Sequence, residues 1–417
     1  MNILIGLGEL VIFLYLTNRT LKNTDNIVDN VIYCYLCQIF NYRFFDSIPW
    51  WSVGINLYPT DFLVVLMILI LLMKKIQLRK NGFTYSWIVF FLFVVVSLVR
   101  GIMSHGLSSD FFADLRKYLY FTVGILYFAY VPFKRPLVCF ERKIDRLFVF
   151  ISGYIWLGVL LYLAGSSLGT YGNLDRPLLS DYAIIMAAYT TYKWYKSLIV
   201  ECKITILPVL FTVSLVINRF NTTWVALVVA VCVIIVLERF DNHYQKMPRK
   251  LFYQIMLLTV VVAIAYLSLQ NTALFSSVAG NLDKFDLEGN NTFSSRVELW
   301  VSAISTITKS VLLIGQPMGS GMYVLYRGFL WQASIHNGYL ELIFRTGIFG
   351  LCSIVFILIQ MIRKALNQRN ILIVALASIM IVYWVAYNIT FEQGMLIGLC
   401  VNCLLTRREE YEMVDIS

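Results

Sequence analysis

The chain has 417 residues, of which 59% are hydrophobic and 14% charged, with a mean hydropathy of +0.74 and a formal net charge of +10. So apolar a composition excludes an ordinary soluble domain. The positive balance reads as membrane topology and attraction to anionic lipid, because no nucleic-acid recognition motif accompanies it.

A membrane-spanning helix needs about 20 apolar residues, since nothing in the hydrocarbon can satisfy a bare backbone. In chain order the candidate spans are Asn2–Leu16, Val28–Phe44, Tyr58–Met73, Tyr85–Val99, Leu115–Val131, Leu147–Ala164, Leu178–Tyr195, Ile204–Ile217, Thr223–Leu237 and Phe252–Leu269. After a long polar insert come Gly338–Ile362, Ile371–Asn388 and Gly394–Leu405. The pattern predicts an all-α polytopic membrane protein of about 12–13 transmembrane helices. Three regions follow: an N-terminal bundle over 1–269, an extracytoplasmic loop over 270–337, and C-terminal helices with a short cytoplasmic tail over 338–417. The first apolar run has neither a basic start nor a small-residue cleavage site, so it is expected to remain as a helix. No counterpart of the insert occurs in the first half, which argues against a transporter of two related halves. Cys34/Cys37 and Cys400/Cys403 have redox-like spacing but lie in apolar stretches without histidine, and read as small hydrophobes.

Basic residues orient the bundle. Lys74, Lys75, Arg79 and Lys80 share one loop, Lys134, Arg135, Arg142, Lys143 and Arg146 another, and Lys196 and Lys203 a third. Arg239, Lys246, Arg249, Lys250, Arg363, Lys364, Arg369, Arg407 and Arg408 fall on the same side by parity, which should be cytoplasmic. The insert then faces out. Once these loops are set aside, Arg100, Arg116, Arg176, Arg219, Arg296, Arg327 and Arg345 remain on the outer side, most of them at helix ends. A guanidinium at that depth needs a cavity or an anion, and it grips phosphate with two parallel charge-assisted bonds.

Within the insert, Ser294 or Ser295 reads as the N-cap of an amphipathic helix with Val297, Trp300, Ile304, Ile307 and Val311 on one face, lying on the outer membrane surface. Pro317, Gly319 and Gly321 then permit a close backbone turn. His336 is one of three histidines and precedes the next span, so it is expected at a helix N-terminus, where the macrodipole disfavours imidazolium. Asp283, Asp286 and Glu288 sit in a Gly/Asn-rich stretch and read as a solvated loop rather than a metal site.

Arg296-x-x-x-Trp300, Pro317-x-Gly319-x-Gly321, His336-Asn337-x-Tyr339 and Gly347-x-x-Gly350, in that order in and after the largest outer loop, resemble the O-antigen polymerase and ligase superfamily. The likeness is strongest over 294–351 and weaker over 171–237, where Asn218-Arg219 stands in place of a Ser-Arg pair. Arg345 departs from an acidic residue often seen at its place, and Met318 interrupts a run of glycines. The resemblance implies a GT-C-type helical fold in a bacterial inner membrane, with its active site on the extracytoplasmic side. There a glycan passes from undecaprenyl diphosphate to a hydroxyl acceptor without metal or other cofactor. Partners implied are the lipid-linked donor, a glycan or lipid-linked acceptor, membrane lipids and a chain-length regulator, with no nucleic acid.

Chemistry agrees with such a transfer. Neither a phosphate-binding loop nor a dinucleotide fingerprint is present, so the donor must arrive already activated. Arg219 and Arg296, with Arg176, are expected to hold the diphosphate, and His336 to accept the acceptor's proton. Asn337, Tyr339, Arg327 and Arg345 are the further substrate-binding candidates. A polysaccharide polymerase is the leading function. A ligase delivering the glycan to a lipid A-core or protein acceptor, and a glycolipid flippase or exporter, are the alternatives.

Overall fold

A computed structural model of the protein describes residues 2–44, 49–53, 55–74, 78, 81–133, 138–163, 178–218, 221–240, 292–321, 323–326, 329–332 and 335–414. Its first half comprises α1 (Asn2–Lys22), α2 (Ile27–Phe44), a hairpin of β1 (Trp51–Val53) and β2 (Ile55–Leu57), α3 (Pro59–Met73), α4 (Gly82–His105), α5 (Ser109–Tyr130) and α6 (Val138–Leu163). There follow α7 (Ser180–Tyr195), α8 (Ile206–Ile217) and α9 (Asn221–Phe240). The remainder is α10 (Thr292–Ser305), α11 (Lys309–Ile314), a hairpin of β3 (Tyr323–Tyr326) and β4 (Phe329–Gln332), α12 (Gly338–Asn367), α13 (Ile371–Ala386) and α14 (Phe391–Val414). The predicted span Phe252–Leu269, Arg176, Arg219, Arg327 and the acidic trio at 283, 286 and 288 lie outside the described residues.

The protein is an all-α polytopic membrane protein, to which the two small antiparallel hairpins are an addition the hydropathy pattern did not predict. Three described helices, Leu4–Lys22, Gly82–His105 and Gly338–Asn367, are long and apolar enough to cross a membrane. Five shorter apolar helices, including Pro59–Met73 and Ile371–Ala386, accompany them. Helices outrun their apolar stretches where polar residues cap them. Asn81 accepts the Thr84 N–H at 2.9 Å and starts α4 ahead of Tyr85, and Ser108 accepts the Phe111 N–H at 3.2 Å, starting α5 ahead of Leu115.

Two ends of the bundle are chemically distinct. At one, Tyr189 donates to Asp145 (2.8 Å), Lys193 and Lys196 converge on Glu141 (2.5 and 2.8 Å), and Lys143 meets Asp29 (2.6 Å). These contacts bring together one end each of α2, α6 and α7. At the other end Tyr383 donates to the Ser180 carbonyl (2.6 Å) and Arg116 pairs with Asp61 (3.0 Å).

The expected amphipathic helix over the insert is corrected in two respects. It begins at Thr292 and breaks after Ser305, and Thr308 caps a second short helix by accepting the Val311 N–H at 3.3 Å. The predicted apolar face also divides. Trp300, Ile307 and Val311 pack with Ala303 against Ile335, Phe344 and Leu340, whereas Ile304 points outward with Val301. Burial against the protein's own α12 wins over the membrane surface for most of that face.

Helices α5 and α14 cross closely because three glycines line the crossing. A Cβ at Gly394 would lie 2.3 Å from the Phe121 carbonyl oxygen, one at Gly398 2.8 Å from that of Ile125, and one at Gly124 3.0 Å from that of Phe391. In lipid, where hydrophobic burial adds nothing to helix association, such backbone proximity is the main attraction. Gly394→Val is expected to lower the thermal midpoint in detergent, at a cost of about 1–3 kcal/mol. Gly153→Ala, whose Cβ would meet nothing within 4 Å, should not lower the midpoint in the same melt.

Candidate active site

The site is built on a broken helix. Gly347 adopts φ 68° and ψ −174° inside α12, a left-handed φ that a side chain would strain. A Cβ there would also stand 2.2 Å from the Leu313 carbonyl oxygen, so glycine is required twice over. The break leaves a half-helix over 338–346 with its N-terminus at the loop end of the bundle. Asn337 caps it, its Oδ1 accepting the Leu340 N–H (3.0 Å) while its Nδ2 donates to the Val385 carbonyl (3.1 Å). Directly before this cap stands His336, exposed and in a left-handed conformation with φ 47°.

Three elements fix what surrounds the imidazole. From α10, Trp300 Nε1 donates to the Ile335 carbonyl at 2.8 Å. One turn earlier, Arg296 Nη1 donates to the Ala386 carbonyl at 3.2 Å, with the guanidinium 5.5 Å from the Tyr387 ring centre. Tyr387 in turn stacks on Tyr383, with 4.4 Å between centroids. From α5, Lys117 pairs with Glu341 of the half-helix, whose other oxygen accepts the Ile389 N–H at 3.2 Å. Lys117 keeps 31% of its side chain exposed while Glu341 keeps 4%, so the carboxylate is the buried partner of the pair.

These surroundings push the His336 pKa below its ordinary value: partial burial acts most, then the Arg296 guanidinium, then the Lys117 ammonium. A positive helix terminus acts in the same direction. The shift favours the uncharged imidazole, the form that can take a proton.

The other sequence candidates divide. Tyr339 hands its hydroxyl to the Ile381 carbonyl (2.9 Å) and sets its ring edge-on to Trp384 (5.7 Å), both internal contacts. Arg345 is buried and turned away from His336 into the loop before β3: Nη2 meets Asp114 at 2.7 Å, and Nη1 donates to the Pro317 carbonyl (3.0 Å) and Ser320 Oγ (2.9 Å). Asp114 also accepts the Gly319 N–H at 2.9 Å, and Arg100 donates to the Gly315 carbonyl at 2.9 Å. These arginines clamp the loop instead of facing an open cavity. Met318 is fully buried and its N–H reaches the Ser97 carbonyl (3.1 Å), which explains an apolar residue among the glycines.

Arg219 and Arg176 lie outside the described residues, but their neighbours are tied together. Asn218 accepts the Leu178 N–H (2.8 Å) and donates to the Leu178 carbonyl (3.2 Å). Sequence reasoning missed Lys117 and Glu341. The available signal was an ionisable residue inside each of two predicted spans, which in a membrane marks a functional group by default.

Arg296→Gln is expected to raise the His336 pKa, since it removes a neighbouring positive charge. Diethylpyrocarbonate modification of His336, followed by peptide mass spectrometry across pH, should show the midpoint moving up from a wild-type value below that of an ordinary histidine. An unmoved midpoint would separate the two groups electrostatically.

No curated protein matches the chain. Residues 206–355 match the family model described as O-antigen ligase. That region runs from α8 through the clamped loop to the first turns after the Gly347 break, and contains Arg219, Arg296, Arg327, His336, Asn337, Tyr339 and Arg345. The protein is thus a polytopic membrane protein whose residues 206–355 are similar to the O-antigen ligase family.

Proposed function

We propose that the protein is a glycosyltransferase that moves a glycan from undecaprenyl diphosphate to a sugar hydroxyl on a lipid-linked acceptor at the extracytoplasmic face of a bacterial inner membrane. The observation that carries this reading is His336 standing directly before the Asn337 cap of a half-helix, its pKa lowered by partial burial and by the Arg296 and Lys117 cations. Half-helix termini of this kind are where membrane proteins meet anionic substrate groups.

In the proposed reaction the acceptor oxygen attacks the anomeric carbon from the side opposite the diphosphate. The new C–O bond forms as the bond from that carbon to the phosphate oxygen breaks, and the leaving diphosphate takes the electron pair. His336 accepts the hydroxyl proton. Arg296, Lys117 and Arg219, with Arg176 and Arg327, neutralise charge on the leaving group. Inversion at the anomeric centre follows from this geometry of attack. Asn337 sets the direction of the His336 backbone, and Arg345 holds the preceding loop.

Polymerisation and ligation use the same chemistry and differ only in the acceptor. The matching family model is described as O-antigen ligase, and in the ligase reading the acceptor is lipid A-core or a protein. Purified protein given lipid-linked repeat units alone should lengthen them if it is a polymerase. Product appearing only on addition of a distinct acceptor would make it a ligase.

His336→Ala is expected to cost about 10² to 10⁴ in turnover while leaving donor binding intact. Unimpaired glycan movement in that variant would instead indicate a flippase or exporter. Arg219→Lys should lower turnover despite keeping its charge, because an ammonium cannot make the paired bonds of a guanidinium. Wild-type rates would make that arginine structural. Turnover should also survive a chelator; loss restored by a divalent ion would overturn the proposed mechanism.

A further inference from the structure

In the half of the bundle remote from His336 lies a cavity of about 380 Å³ lined by residues of α2, α5, α6, α7, α13 and α14. Its walls are hydrocarbon almost throughout, among them Ile32, Ile144, Phe148, Leu376, Leu399 and Cys403. Ile32, Ile144, Leu376 and Leu399 are only half-buried despite facing protein on several sides, so the cavity communicates with the exterior of the bundle. Interiors pack to crystal-like density, and a far smaller apolar hole, roughly 150 Å³, already takes up small hydrocarbons while staying dry. In a bilayer the fluid available to such a gap is lipid chain.

Position and charge narrow the occupant. Glu141, Phe133, Asn370 and Cys403 place one end of the cavity at the basic-loop end of the helices. There Lys193 and Lys196 are matched by Glu141 and Asp145, and α6 adds Arg142 and Arg146 as exposed cations. Toward the site, Tyr35 bounds the cavity with its ring against the edge of Tyr182, 5.1 Å between centroids. Basic clefts between helices on such a side receive anionic headgroups. We propose that this cavity holds one acyl chain of an anionic phospholipid from the leaflet at the basic end, seated between the N-terminal helices and the α13–α14 pair. It is a lipid site separate from the centre at His336, and it does not depend on the reaction assigned to that centre.

The test is photolabelling of the full-length protein in nanodiscs with phosphatidylglycerol carrying a diazirine in its acyl chain, read by peptide mass spectrometry. Label is expected on peptides of α6, α7 and α14 that line the cavity. Unlabelled phosphatidylglycerol should compete with it, and phosphatidylcholine and undecaprenyl phosphate should not. Leu376→Trp, which fills the cavity, should lose the label; should that variant fail to fold, the competition on wild-type protein decides alone. Label confined to the outer surface of the bundle would overturn the proposal. So would competition by phosphatidylcholine, which removes the headgroup, or by undecaprenyl phosphate, which makes the cavity a seat for a polyprenyl chain.

Discussion

The contact on which the rest of the site depends is the approach of the Leu313 carbonyl to the backbone of Gly347. It lets the short α11 lie against α12 at the point where that helix breaks, and no residue with a Cβ could stand there. A continuous α12 would carry its terminal dipole on one long rod. Broken, it becomes a long apolar segment and a half-helix whose N–H groups and positive end are presented beside the loop that precedes it. Asn337, Glu341 and His336 take their places from that half-helix, and α10 and α5 supply the cations that face it.

The loop itself is held by polar groups within the apolar bundle. Arg345 and Asp114 are a pair that would be costly if either stood alone, and together they secure the backbone of residues 317–320. Arg100 and Ser97 do the same for residues 315 and 316. These contacts connect α4, α5 and α12 through the loop. A position expected to bind substrate thus serves the geometry of the strand that leads to His336.

Much of this was legible in the sequence, for physical reasons. Apolar runs long enough to span and an asparagine set to cap a helix are local signals, and each finds its counterpart in the helices and the Asn337 cap. Two short hairpins went unread although Arg327-Gly328 separates two β-prone aromatic runs, with Tyr326 opposite Phe329. The amphipathic helix was assigned to the membrane surface because its period fits any apolar neighbour; only the fold shows that Phe344 and Ile335 are that neighbour for Trp300. Lys117 and Glu341 are 224 residues apart in the chain, a pairing no local pattern could supply.

The left-handed backbone at position 336 bears on which chemical groups can act from it. Among residues with side chains, histidine, asparagine and aspartate enter that region several-fold more readily than the rest, whereas a glutamate or lysine would carry steric strain of about 1–2 kcal/mol into the folded state. A proton acceptor with the reach of an imidazole therefore fits this turn at a lower cost than a longer flexible acceptor would. Main-chain conformation narrows the repertoire of bases at this point before reactivity does.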